Sequence, residues 1–197
     1  MTPSSKFIEG LKILEPFLFS YSFKFDNMET QQASGGQFSN ATYINGKKKF
    51  IIGYRYSVGR LDYHFDKSVA MHNFYLEGLG YTDKMKYPNS QSEDLQTTFR
   101  HILADFEYLK DDFFVGQCVE LEKIAISQIK YYEELQTNLY AEEELKNNKK
   151  IIDKARHQFK IKNYKSCMDI YKTVSKNYAF TEFDKITLQR CNEHLIK

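Results

Sequence analysis

Phe17 to Phe25 reads FLFSYSFKF, five aromatic rings alternating with Leu18, Ser20, Ser22 and Lys24. A period of two puts every ring on one side of an extended strand, whereas a helix would scatter them around its circumference. The spacing therefore predicts a strand over 17–25 with a buried aromatic face. Upstream, residues 4–15 predict a short helix with Ser4 or Ser5 as N-cap, Phe7, Leu11 and Leu14 on one stripe, and Pro16 marking its end. Downstream, a polar loop through Gly35-Gly36 leads to a second strand near 38–44, and Asn45-Gly46 suits a tight turn.

Two further apolar runs, FIIGYRYSV at 50–58 and LDYHFDK at 61–67, flank Gly59-Arg60 and predict a hairpin closed by a two-residue turn. That turn pairs Val58 with Leu61, Tyr56 with Tyr63 and Tyr54 with Phe65 on the core side, and sets Ser57 opposite Asp62 and Arg55 opposite His64 on the other. The expectation is an α+β protein built on a four-stranded antiparallel meander.

From Ser68 the apolar spacing becomes helical. Val69, His72 and Leu76 share a stripe with Gly80 as its stop, and Ser90 with Glu93 resembles a capping box for a helix carrying Leu95, Phe99, Ile102, Phe106 and Leu109. Asp111 or Asp112 is positioned to cap another helix, whose apolar residues are Phe114, Cys118, Leu121, Ala125 and Ile129. Residues 140–197 read as three helices, the first with Leu145, Ile152, Ala155 and Phe159 on one face, the second over about 164–176, the third starting at Thr181. This divides the chain into an α+β domain, 1–130, and a helical extension, 131–197.

Ala155, Tyr164, Cys167, Tyr171 and Val174 fall at the spacing at which a tetratricopeptide-type hairpin places its small and aromatic packing residues, so residues 150–195 resemble one such repeat. Lys162 stands where that repeat usually has Gly. The resemblance implies an appended helical hairpin. A single copy does not form the concave peptide-binding surface of that family. The run from Gly35 through RYSVGRLDYHF to the YLEGLG helix end is similar to small bacterial proteins of unknown function, and it implies an immunity- or antitoxin-like role.

Sixteen Phe and fifteen Tyr supply a core, although abundant Lys, Asn, Ile and Tyr also fit an AT-rich coding bias. The start lacks the basic and apolar blocks of a signal peptide, and no run approaches the roughly 18 apolar residues of a membrane span. Cys118, Cys167 and Cys191 are odd in number and far apart, which points to a reducing cytoplasm. Charge is uneven: residues 140–197 hold 13 Lys and Arg against 8 Asp and Glu, a basic tail on an acidic body.

The predicted hairpin gathers Arg55, Asp62, His64 and Asp66 on one sheet face, where Arg and His could hold an anion or a partner, or where His could serve as a base. Solvated cross-strand pairs are the plain alternative. Lys149, Lys150, Lys154 and Arg156 lie within a cationic run from Lys146 to Lys165 broken only by Asp153, a candidate phosphate-binding face. There is no nucleophile elbow, phosphate loop or ligand spacing typical of zinc, so no catalytic residue, metal or cofactor is assigned. The expected function is non-catalytic protein binding. Nucleic-acid binding through residues 146–165 is the alternative, and a small enzyme using Arg55 and His64 is a third.

Overall fold

A computed structural model describes residues 2–88 and 94–196, in two compact units, 1–130 and 131–197. The first unit is α+β. Helix α1 (Ser5–Ser20) buries Phe7, Leu11, Leu14 and Leu18, a stripe of period 3.6. That stripe overrides the predicted stop at Pro16 and the predicted strand from Phe17. Pro16 sits exposed inside the helix and forgoes one backbone bond. Burying Leu18 and seating the Phe17 ring 5.3 Å from Phe106 and 4.9 Å from Phe114 outweigh that loss. The helix ends where Ser22 turns left-handed, φ 64°, with Phe23 N–H donating to Leu18 O and Ser22 N–H to Phe19 O.

Strands β1 (Lys24–Ala33), β2 (Gly36–Asn45), β3 (Lys48–Tyr54), β4 (Val58–Phe65) and β5 (Ser68–Met71) form one antiparallel meander in chain order. The sheet has five strands where four were expected. β1 falls in the stretch read as a polar loop, because an edge strand in water carries few apolar residues. β5 has only four residues, too few to show a period of two before helix α2 (His72–Gly78) begins.

The β3–β4 register also corrects the sequence reading. The turn is Arg55–Ser57, not Gly59-Arg60, and the pairs are Phe50 with Tyr63, Ile52 with Leu61, Gly53 with Arg60 and Tyr54 with Val58. An irregularity beside Gly53 and Tyr54 accommodates Gly59. This register stacks Phe50, Ile52, Leu61 and Tyr63 on the inner face, all buried, and leaves Tyr56 78% exposed instead of facing Tyr63.

Helix α3 (Leu95–Leu109) buries Phe99, Ile102, Phe106 and Leu109 as the spacing predicts, and Asp94 caps it by accepting Thr97 N–H at 3.0 Å. The expected Ser90–Glu93 capping box lies outside the described residues. A π-helical turn, Lys110–Phe114, follows. Asp112 in it accepts Glu120 N–H at 3.2 Å and Leu121 N–H at 2.9 Å, capping helix α4 (Val119–Lys160). α1 and α3 pack closely at Gly10, where a Cβ would lie 2.2 Å from the Phe99 ring.

In the second unit, α4 runs unbroken from residue 131 to Lys160 where separate helices were expected, and Leu145 is exposed rather than facing a core. Helices α5 (Tyr164–Tyr171) and α6 (Glu182–Leu195) complete it around Ile152, Ala155, Cys167, Tyr171, Val174 and Cys191. Lys162 adopts a left-handed φ of 61° between α4 and α5.

Gly10→Ala separates packing from propensity. In an open helix the change would stabilise by about 1 kcal/mol. Against the Phe99 ring it is expected to destabilise by roughly 1–3 kcal/mol in urea denaturation. An increase in stability would show that α1 and α3 do not pack this tightly.

Candidate functional site

At one end of the sheet two hairpin tips meet. The β3–β4 tip presents Arg55, Tyr56 and Ser57, all exposed, and the β1–β2 tip presents Gly35. Tyr56 donates its hydroxyl to Gly35 O, and the Arg55 guanidinium lies 5.6 Å from the Tyr56 ring centre. A side chain at Gly35 would collide with that guanidinium. The tips are thus fastened by Tyr56 with Arg55 laid across it, which restricts two side chains that would otherwise be mobile at a turn.

Tyr56 separates two shallow depressions. On one side, about 440 Å³ is lined by Lys6, Glu9, Tyr54, Tyr56 and Asp94 among others, a mixture of both charges. On the other, about 380 Å³ is lined by Phe38, Asn40, Gly53, Arg55, Tyr56, Gly59 and Arg60, with Arg the only charged residue type among the described lining. Asp62 holds Arg60 through Nε from the neighbouring row of the sheet.

Of the four residues expected to share a face, Asp62 and His64 keep to one side of β4, two residues apart, while Arg55 and Asp66 lie outside the ladder. Arg55 is at the tip, and Asp66 is at the opposite end of β4, in the β4–β5 turn, where it pairs with Lys47 at 3.4 Å. Asp62 lies opposite Ile51 and is buried against Arg60, while His64 lies opposite Lys49 rather than Arg55. Burial, and then the charge of Lys49, lowers the His64 pKa below its ordinary value. The corrected register takes Arg55 out of the group, because moving the turn displaces it from the ladder.

A more tightly connected polar group lies in the core. Tyr63 Oη is 2.8 Å from His72 Nδ1, and His72 Nε2 is 3.2 Å from Asp105, which also accepts the N–H groups of Lys86 and Tyr87, each at 2.8 Å. Such residue types relay protons in some enzymes. Here all three are buried, burial pushes the Tyr63 hydroxyl well above its ordinary pKa, and the group ties residues 86–87 to α3. Burial likewise raises the Cys118 thiol to about 11 and the Cys167 thiol to about 12, leaving little thiolate for nucleophilic chemistry. Among the described residues no group of three or more His, Cys, Asp or Glu could hold a metal ion.

In the second unit the proposed cationic face loses a member. Arg156 donates to both Asp184 oxygens, Nε at 2.9 Å and Nη2 at 3.0 Å, and lies 5.3 Å from the Phe183 ring centre. It is a structural residue. Lys149, Lys150 and Lys154 remain exposed. Sequence reasoning missed Tyr56, which it sent inward, and Gly53, Arg60 and Phe38, whose juxtaposition needs the true register. A signal was available in the Arg-Tyr-Ser run at 55–57, whose polar ends suit a turn.

Comparison with known protein families, curated proteins and solved structures finds no match. Among the described residues no helix is long and apolar enough to cross a membrane.

The Asp184 cluster sets an acid limit on the second unit. Burial opposes its charge, but hydrogen bonds from Arg156, Thr181 and Tyr171 prevail and bring its carboxyl from 3.8 down to about 2. A folded pKa below the unfolded one adds stability above about pH 4, lost as pH falls through 2. Asp184→Asn is therefore expected to melt earlier than the parent at pH 7, with the gap closing between pH 4 and pH 2. A gap independent of pH over that range would remove charge from the account.

Proposed function

We propose that this protein works by binding another protein without catalysis, as a bacterial cytoplasmic protein of the immunity or antitoxin type that neutralises by occlusion. The supporting observation is the fastened tip, a 78% exposed Tyr56 with Arg55 across its ring. Tyr and Arg dominate the energetics of protein interfaces, and side chains already held in place lose little freedom on binding. The buried Tyr63, His72 and Asp105 are engaged in contacts within the core. Three free cysteines accord with a reducing compartment. The second unit, as a single tetratricopeptide-like hairpin, extends the contact area rather than forming a peptide groove.

A partner isolated from the native cell is expected to form a stoichiometric complex that survives moderate salt. Tyr56→Ala is expected to weaken it by about a hundredfold, the range of an interface hot spot, with only the small drop in melting temperature that loss of the tip hydrogen bond brings. Retention of full affinity by that variant would rule out the tip.

The exposed Lys149, Lys150 and Lys154 support a second reading, binding to nucleic-acid phosphates. On that reading, retention on duplex DNA falls steeply with salt and is abolished when these three lysines become Glu. Retention that is absent at low salt, or that the triple variant keeps, would dismiss it.

A further inference from the structure

We propose that the depression beside Tyr56 is a carboxylate slot that receives an Asp or Glu side chain from an acidic segment of a protein partner, a specification that rests on the proposed function above. Its floor is Gly53. Across the sheet Asn40, Gly53 and Arg60 form one row, paired strand to strand, with the middle side chain missing. A Cβ on Gly53 would lie 2.7 Å from Asn40 Oδ1 and 2.9 Å from Arg60 Cβ, so these two side chains close over the glycine floor and a methyl there would have to displace them. Open space lies at Gly59, which also lines the depression and has nothing within 4 Å of its own Cβ position.

The electrostatics favour an anion. Arg55 and Arg60 are both exposed and line the depression, and no acidic residue lines it among the described residues. Asp62 grips Arg60 through Nε, which orients the guanidinium while partly offsetting its charge. Arg55 is oriented by the Tyr56 ring and by the space left at Gly35. Two arginines lining one depression offer guanidinium donors to a planar carboxylate. The remaining wall is apolar, Phe38 and the Tyr56 ring. A phosphodiester chain would need an extended cationic track, whereas the lining of this depression holds two arginines and no other cation among the described residues. An acidic side chain next to an apolar or aromatic one fits both walls together.

The probe is a dye-labelled Ser-Glu-Tyr-Asp-Gly peptide, followed by anisotropy with the full chain. Saturable binding is expected, weakened about tenfold or more by Arg55→Gln and by Gly53→Ala, and equally by replacing the acids of the peptide with their amides. Thermal melts establish that each variant is folded, and Arg55→Gln alters only an exposed side chain. No binding at millimolar peptide, unchanged binding in both folded variants, or equal binding of the amide peptide or of oligothymidylate would overturn the slot. The two readings separate cleanly. A native partner lost by Tyr56→Ala but fully held by Gly53→Ala sinks the slot and leaves the proposed function standing. Acidic-peptide binding in the slot with no stoichiometric partner does the reverse.

Discussion

Phe106 occupies the centre of the first unit. Its ring meets Phe50 of the sheet edge-on at 5.3 Å, Phe17 of α1 at 5.3 Å and Phe114 of the π-helical turn at 5.0 Å. Through that ring the sheet, α1, α3 and the start of the path to α4 share one aromatic cluster, joined on the sheet side by Tyr63 and Phe113 at 5.0 Å. Tilted and edge-on ring pairs gain energy beyond the area they bury, and they tolerate little displacement. Everything else in the unit must reach positions this cluster permits. Phe17 has to be helical to meet Phe106 from the side of α1, and Phe50 and Tyr63 have to be cross-strand neighbours to meet it from the sheet.

That requirement explains the register of the β3–β4 hairpin better than turn chemistry does. A two-residue turn at Gly59-Arg60 is locally favourable, but it would carry Tyr56 inward against Tyr63. The observed pairing of Phe50 with Tyr63 places two large buried rings where the cluster needs them and expels Tyr56 to the tip. The exposed tyrosine and the depression beside it are consequences of core packing.

The second unit uses a different device. Its core is small, and a buried aspartate carries much of its definition: Asp184 joins Arg156 of α4, Tyr171 of α5 and Thr181 at the start of α6. A carboxylate that collects partners from three elements specifies their arrangement where apolar area alone is limited. The same bonds withdraw Arg156 from any surface role, so a residue that looks like part of a cationic stripe is a packing residue.

Much was legible in the chain. The α+β class, the stripe of α3, the helical second half and the start of α6 at Thr181 and Asp184 follow from local periodicity and capping, which nearest neighbours along the sequence set. Phe17 to Phe25 was not legible, because alternating aromatics satisfy a strand pattern and Leu14 to Leu18 satisfies a helix pattern. Only the position of Phe106 chooses between them. β1 and β5 escaped notice because one is polar and the other short. The row formed by Asn40, Gly53 and Arg60 depends on which residues of three strands stand side by side. The sequence by itself determined which segments are apolar on one face. Register and the extent of α1 were decided by the tertiary structure, because they minimise the energy of a shared core that no single segment contains.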